Sequence, residues 1–282
     1  MTAAMTAPQG SAQDPMNSVL GKARLILEAF GPLDIELSLT DLARRSGVPK
    51  ASVHRLAQEL LAWGMLERSG TNYRLGLRLF ELGQRVPRNR ILREAALPYM
   101  EDLLMATGET VHLAVHDGLD VLYIEKIIGH RGLNKKSRVA GRLPLYCTAT
   151  GKVLLAYSPD GLFQEVARQG FTAMTARTTM SAGRLRGQLD KIRQDGMALE
   201  TEEVKLGYLS LAVPVFSSHG ALAASLSLTG PTTRLDVRRC VGPLRSAAAG
   251  ITRALQQLTC LGPDTGCPPG VCAAASCPRR IR

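Results

Sequence analysis

The sequence is poor in aromatic residues (4%, with a single tryptophan), and none of its apolar runs reaches the ~18 residues that a membrane-spanning helix needs. Residues 1–15 also lack the basic start and apolar centre of a signal peptide. We therefore expect a flexible leader over 1–15, a cytoplasmic location and no membrane partner.

Motifs of the common enzyme classes are absent as well. The patterns HExxH, GxSxG and DxDxDG do not occur, and the TGK at 150–152 lacks both the preceding glycine and the following hydroxyl residue of a phosphate-binding loop. Two alternatives stay open: His112 and His116 as a metal pair rather than hydrogen-bonded sheet histidines, and Cys147 as a nucleophile beside one of them. We predict no enzymatic activity, no cofactor and no metal.

The six cysteines do not form a recognisable metal-binding pattern. Cys147 and Cys240 are isolated in globular sequence, where we expect small buried side chains. The other four have the spacing C-x6-C-x4-C-x4-C, without a C-x2-C pair or a nearby histidine, which fits a zinc site poorly. We predict a disordered Cys- and Pro-rich tail over 259–282, with a structural metal or a redox switch as the alternatives. These four residues are Cys260, Cys267, Cys272 and Cys277.

The segment 39–76 has the pattern of a helix, a tight turn, a second helix and a hairpin. We expect Thr40 to cap a helix that begins at Asp41, and Gly47 to end it. A second helix is predicted over Pro49–Trp63, because one apolar stripe runs along it. Its stripe consists of Val53, Leu56, Leu60 and Leu61. A helix-turn-helix places the start of this second helix in the major groove of DNA.

Basic residues are concentrated around this motif. The whole chain carries a net charge of +11, and eleven Arg or Lys residues face only three Glu between Arg44 and Arg93. Such an excess suits a phosphate backbone, although a solvated basic face would also explain it. The hairpin arginines are open to the same two interpretations. The predicted DNA-binding residues are Arg44, Arg45, Lys50, Ala51, Ser52, His54, Arg55, Arg68 and Arg74.

The remaining sequence predicts a connector and a mixed domain. Helical spacing indicates a first helix over 16–33 and a linker helix over 85–108, which Pro98 kinks or restarts. Strand and helix patterns mix over 109–258, which predicts an α+β sheet domain with its helices on one side. In the strand DVLYIEKII we expect Leu122, Ile124 and Lys126 to share a face.

A small-molecule site is predicted where a helix begins at TATGK. The free amides of Ala149, Thr150 and Gly151, together with the helix dipole, form a seat for an anion. Ser225 and Ser227 stand two apart in the last strand, so their hydroxyls point the same way, although they could also lie on the solvated face of an edge strand. Further candidates are Leu143, Leu145, Thr201, Tyr208 and Ser210.

Six blocks of the chain, in order, give it a resemblance to the IclR family of bacterial transcription factors. The blocks are SVLGKARLILEAF, LTDLARRSGVPKASVHRL, YRLGLRLFELG, TGETVHLAVHDG, GRLPLYCTATGKVLLAY and ASLSLTGPTTRL. The resemblance implies a winged helix-turn-helix domain over 16–84, a linker helix and a GAF-like α+β effector-binding domain over 109–258. It further implies dimers, or dimers of dimers, on palindromic operators, and carboxylates or aromatic acids as effectors.

The resemblance also implies which residues line the effector pocket. Some members carry aspartate in place of Glu200 and a smaller aliphatic residue in place of Tyr208, so a polar or aromatic ligand suits this chain as well as a short acid. The implied residues are Leu133, Leu143, Ala149, Thr150, Glu200, Tyr208, Ser210, Ser225 and Ser227.

The sequence thus predicts a dimeric, effector-controlled DNA-binding regulator, a repressor rather than an activator. One alternative is a metabolite-binding protein or enzyme that uses its N-terminal domain only to oligomerise. A DNA-architectural protein without a ligand is the other, although it would have no need of the second domain.

Overall fold

The structure is a computed structural model that describes residues 18–129 and 138–260. Its chain divides into two compact units, Met1–Pro87 and Arg88–Arg282. The predicted leader, the pocket residue Leu133 and the tail beyond residue 260 lie outside the described residues. Within the described ranges, no helix combines the length and the apolar character that a bilayer span requires.

Unit 1 has the helix order and the hairpin of a winged helix-turn-helix, as predicted. Its core is formed by Ile26, Leu42, Leu56 and Leu60 together with Tyr73 of the hairpin. The two strands pair antiparallel, with Ser69 opposite Asn72, so the wing has a two-residue tip. The elements are α1 (Val19–Glu28), α2 (Leu39–Ser46), α3 (Lys50–Ala62), β1 (Leu66–Ser69), β2 (Asn72–Leu75) and α4 (Leu77–Gln84).

The helix boundaries in unit 1 differ from the predicted ones. The first helix is shorter than 16–33, and Ser18 caps it. Ser38, not Thr40, caps α2, because its Oγ accepts the N–H of Asp41 at 3.1 Å and donates to the Asp41 carboxylate at 2.7 Å. Pro49 is the cap of α3 rather than its first residue. Gly47 ends α2 in the left-handed conformation (φ 69°), as expected.

Unit 2 is a six-stranded antiparallel sheet with helices on both faces. The strand order is β5-β4-β3-β8-β7-β6. Helix α5 continues through Pro98, so of the two predicted effects of this proline the start of a new helix is wrong. The elements are α5 (Pro87–Thr107), β3 (Thr110–Asp117), β4 (Asp120–Ile127), β5 (Arg142–Pro144), α6 (Ala149–Ala156), α7 (Asp160–Gln169), α8 (Ala182–Asp195), β6 (Ala198–Thr201), β7 (Tyr208–Phe216), β8 (Leu222–Pro231) and α9 (Val237–Cys260).

The expectation that the helices gather on one side of the sheet is wrong. Helices α5 and α9 pack on one face, where β3, β7 and β8 present alternate large aliphatic residues such as Leu113, Leu211 and Leu226. On the other face, small residues such as Ala114 and Ala212 let α6 lie close to the sheet, and α7 and α8 join it there. Both faces of the sheet are therefore apolar, and each is covered by its own layer of helices.

A bulge in the sheet corrects the predicted face of Lys126. The register shifts between Leu113 and Ala114 of β3, so that Ile124 has no direct partner and Lys126 stands opposite His112. Leu122 and Ile124 pack with α5 and α9, whereas Lys126 shares the opposite face with His112. An extra residue in one strand reverses the alternation beyond it.

Candidate functional site

One surface of α3 carries four of the nine predicted DNA-binding residues. Val53, Leu56, Ala57 and Leu60 are buried, so the opposite side of the helix is exposed. Ser52 lies off this side and is half-buried. The exposed surface, here called the α3 face, consists of Lys50, Ala51, His54, Arg55 and Gln58. Gln58 was missed by the sequence analysis, although it lies one turn beyond His54.

Two of the predicted arginines, Arg55 on the α3 face and Arg44 on α2, form exposed pairs with an acidic residue of their own helix. Arg55 contacts Glu59 at 2.8 Å and Arg44 contacts Asp41 at 2.8 Å. Exposed ion pairs on a helix contribute little to stability. Either arginine can therefore leave its acidic partner and contact a phosphate or a guanine at little cost in free energy.

Arg45 and Lys50 each contact a residue outside their own helix. Arg45 donates to the carboxylate of Asp34 and to the carbonyl of Ala29, and this bonding lowers the pKa of Asp34. Lys50 donates to the hydroxyl of Thr40 at 3.0 Å. Arg45 thus ties α2 to the end of α1, a stabilising role that the sequence did not reveal.

The wing arginines are anchored on the hairpin itself. The guanidinium of Arg68 lies 4.3 Å from the ring centroid of Tyr73, and Arg74 pairs with Glu67 at 2.8 Å. Glu67 also accepts the N–H of Leu77 at 3.0 Å, which joins the wing to the start of α4. Both arginines remain at the surface of the hairpin.

A second site is a small polar cavity in unit 2, between α6 and the sheet. Its volume is about 30 Å³. Of the predicted pocket residues, it brings together Leu143, Ala149, Thr150, Glu200, Tyr208, Ser210 and Ser227. Thr148, whose small side chain was expected to let a carboxylate come close, also lines it. The residues that the sequence analysis did not assign to this pocket are His112, Tyr123, Val204, Lys205 and Thr229. Thr229 could have been found, since it continues the alternation of Ser225 and Ser227.

The two serines of β8 differ in position. This strand lies between β3 and β7, so the alternative of a solvated edge strand is wrong. Ser227 stands between His112 and Ala212 and lines the cavity. Ser225 is fully buried beside it, does not line the cavity, and donates its hydroxyl to the carbonyl of Val213 at 3.4 Å.

The other candidates from the predicted site are structural neighbours of the cavity. Gly151 is buried against the backbone of Leu145, where a Cβ would collide with the carbonyl oxygen. Leu145 belongs to the apolar core between α6 and the sheet, and Thr201 is exposed at the end of β6. Gly151 therefore sets the depth at which α6 packs.

The N-terminus of α6 opens at the cavity. Thr148 caps the helix by accepting the N–H of Gly151 at 2.9 Å. Ala149 and Thr150 are the first two helical residues and both line the cavity. The prediction that the Gly151 amide is free is therefore wrong, because Thr148 accepts its N–H. The N–H groups of Ala149 and Thr150 have no partner within the helix and are available to an anion.

Burial determines the charge of the groups around the cavity. It lowers the pKa of His112 to about 3 and raises that of Tyr123 to about 12, so both are neutral near pH 7. It also raises the pKa of Glu200 to about 7, against the hydrogen bonds that its carboxylate accepts from the N–H groups of Glu203 and Val204. Glu200 is thus poised to gain or lose a proton at physiological pH.

A buried ion pair stands behind the cavity. Lys152 of α6 contacts Glu203, and both residues are almost completely removed from solvent. The second carboxylate oxygen of Glu203 accepts the N–H of Thr179 at 3.0 Å. The pair fixes the β6–β7 connection to α6; the sequence gives no signal for it, because its members are 51 positions apart.

The alternatives of a metal site and a thiol nucleophile find no structural support. Within 18–129 and 138–260, no three His, Cys, Asp or Glu residues are grouped to hold a metal ion. His116 is exposed whereas His112 is buried. Burial also raises the pKa of Cys147 to about 12, which keeps this thiol protonated and unreactive. Cys240 is buried as well.

Comparison with known proteins assigns both units. Residues 19–70 match the IclR helix-turn-helix domain, and residues 84–253 match the C-terminal domain of the bacterial transcriptional regulator IclR. The transcriptional regulators XynR and KdgR of Escherichia coli (strain K12) are 33% and 37% identical over 247 and 245 residues. These matches cover 86% and 85% of this chain and 98% and 92% of the relatives.

A solved structure is similar along its whole length. It is an IclR homologue from Microbacterium hydrocarbonoxydans complexed with 4-hydroxybenzoate, with a TM-score of 0.81 and 31% sequence identity. The similarity covers 85% of this chain and all of that one. Since the matched domains and relatives are transcriptional regulators, the chain is a DNA-binding regulator with an effector domain and not an enzyme.

Proposed function

Because the chain belongs to the IclR family of bacterial transcriptional regulators, we propose that it represses transcription from a palindromic operator and that a small organic acid in the cavity controls its release. The α3 face carries this proposal. It combines three side chains that can contact bases or phosphates, Lys50, His54 and Arg55, on a helix held rigid by its buried side.

The proposed DNA contacts divide into two kinds. Arg55 is the strongest candidate for a base contact, because a guanidinium can bind guanine through two hydrogen bonds. Arg44, Arg68 and Arg74 contact the phosphate backbone, which positions the protein without reading sequence. Arg45 is not proposed to contact DNA, because its guanidinium is bonded to Asp34.

The proposed effector is an organic acid, which binds with its carboxylate at the start of α6. Ala149, Thr150 and Ser227 line one cavity. The similar structure contains 4-hydroxybenzoate, which makes this compound a suitable first probe. The cavity of about 30 Å³ must widen to admit it. We propose that the dimer has two geometries that differ in operator affinity. The acid can shift the balance between them only if it binds one geometry more tightly than the other.

A homodimer, or a dimer of dimers, in the cytoplasm completes the proposal. A palindromic operator requires two helix-turn-helix units related by a two-fold axis. Repression requires only that the bound protein occupy the promoter, whereas activation also requires a surface that recruits polymerase. We therefore favour repression.

Replacing Arg55 by alanine should weaken operator binding by about 1–3 kcal/mol, because the proposed guanine contact is lost. Gel shifts at a fixed, near-physiological salt concentration measure the effect. Arg24→Ala is a matched control, since both arginines are similarly exposed (58% and 62%) and each pairs with a glutamate one turn away. Equal affinities of the two variants would remove Arg55 from the base-reading residues.

Replacing Ser227 by alanine should weaken the binding of 4-hydroxybenzoate about 2- to 10-fold, as expected for the loss of one hydrogen bond. Ser225→Ala is the matched control, because Ser225 lies two residues away on the same face but outside the cavity. Isothermal titration measures both affinities, and gel shifts should show unchanged operator binding. If Ser225→Ala impaired ligand binding as much as Ser227→Ala, the serines would act through folding alone.

A further inference from the structure

We propose that Lys205 is the residue that distinguishes an anionic effector from a neutral one: its ammonium lies over the ring of Tyr208 at the cavity and pairs with the acid group of the ligand. The proposal deepens the proposed function and rests on it, because it concerns the same cavity. It adds a residue that neither the sequence pattern nor the resemblance selected.

The position of Lys205 leaves its charge available. Its Nζ lies 3.8 Å from the ring centroid of Tyr208, and both residues line the cavity. The side chain is half-buried, and no carboxylate of the described residues pairs with it. A cation–π contact is weaker than a contact with a carboxylate in a partly dehydrated site, so an acid can draw the ammonium from the ring.

Lys205 is also the single cation among the residues that line the cavity. His112 is neutral there, since burial keeps its pKa at about 3. Glu200 is the single acidic lining residue, and it accepts backbone N–H groups. An incoming carboxylate therefore meets two sources of positive potential, the amides at the start of α6 and the ammonium of Lys205.

Hydrogen bonds hold the backbone around Lys205 in place, so the Cα atom of this residue has a fixed position beside the cavity. Glu202 has a positive φ of 61°, and its N–H donates to the carbonyl of Tyr208 at 2.8 Å. The carboxylate of Glu202 accepts the N–H of Gly207 at 2.7 Å, and Thr175 donates to its carbonyl at 2.6 Å. A non-glycine residue with positive φ persists only where the surrounding contacts enforce it.

The test compares acids with their amides, which have nearly the same shape but no charge. The probes are 4-hydroxybenzoate, benzoate and propionate, each with its amide, titrated calorimetrically into the full chain. In Lys205→Met, carboxylate affinity should fall about tenfold, because a charged hydrogen bond is lost, while amide affinity stays the same. Lys205→Arg should retain most of the carboxylate affinity, and Lys191→Met, at an exposed lysine of α8, should match the wild type.

The outcomes separate this proposal from the proposed function. If acids bind the wild type and the Lys205→Met variant still binds carboxylates more tightly than amides, Lys205 does not distinguish charged from neutral ligands. The proposal is then overturned, while the proposed effector site is retained. If the affinities for acid and amide fall together, Lys205 only packs against Tyr208, and the proposal is again overturned. If no acid binds the wild type at millimolar concentration, the acid-binding cavity itself is contradicted, and this role of Lys205 with it.

Discussion

Replacing Lys152 by methionine should lower the free energy of unfolding of unit 2 by about 3–5 kcal/mol. Methionine has a similar length, so the substitution removes little packing but leaves the Glu203 carboxylate buried without its cation. The hydrogen bond from Thr179 satisfies one oxygen of Glu203 but does not neutralise its charge. A single buried charge in a medium of low polarity is much more costly than a pair.

The double variant Lys152→Met/Glu203→Gln distinguishes the cost of an isolated charge from a general loss of packing. It removes both charges, and glutamine can still accept the N–H of Thr179, so most of the lost stability should return. Urea unfolding followed by far-ultraviolet circular dichroism measures the effect; fluorescence is unsuitable, because the single tryptophan, Trp63, lies in unit 1. Lys191→Met, at an exposed position, is the matched control. A double variant as unstable as Lys152→Met would contradict the argument.

Replacing Glu200 by glutamine should make the protein more stable at about pH 8 by up to about 3 kcal/mol, and this gain should vanish toward about pH 4.5. Burial raises the pKa of Glu200 from its ordinary value of 4.5 to about 7, so the folded protein holds this proton more tightly than the unfolded chain. The stability that the protonated carboxyl contributes is complete below pH 4.5 and is lost as the pH rises through 7.

Glutamine imitates the protonated form at every pH and can still accept the N–H groups of Glu203 and Val204. The difference between Glu200→Gln and the wild type, measured by urea unfolding from about pH 5 to about pH 8, therefore isolates this one titration. Glu165→Gln, at an exposed position of α7, should show no such dependence. A stability difference that stayed constant across this range would mean that Glu200 titrates alike in the folded and unfolded chains.

The same titration bears on the effector. An ionised Glu200 places a negative charge in a cavity that is proposed to receive an acid, whereas the protonated carboxyl does not oppose it and can donate a hydrogen bond. The cavity should therefore bind an anion better below about pH 7, where Glu200 is protonated, than above it.

Local patterns in the sequence were enough for the winged helix-turn-helix. Gly47 marks the end of α2, and the apolar spacing of Val53, Leu56 and Leu60 defines the buried side of α3, since both depend on neighbouring residues. The cap at Ser38 was missed because Thr40 is chemically as suitable, and only the backbone geometry distinguishes the two.

Features that depend on contacts between distant parts of the chain could not be predicted from local sequence patterns. The bulge at Ile124 and the central place of β8 follow from strand pairing, which local alternation does not specify. Lys205 and the pair of Lys152 with Glu203 look like ordinary polar residues in sequence. The resemblance supplied Glu200, but the resemblance and the strand alternation both implied Ser225 together with Ser227, although the two serines differ in position.

The first experiment on an acid-controlled repressor is a gel shift of the purified protein on its own upstream intergenic DNA. The assay uses competitor DNA, a fixed near-physiological salt concentration and increasing 4-hydroxybenzoate or related acids. We expect specific retardation of this DNA, which an acid, but not its amide, relieves. Failure to bind this DNA, neighbouring promoters or any sequence recovered by genomic selection would contradict the assignment as a DNA reader; specific binding that no acid altered would contradict the control mechanism.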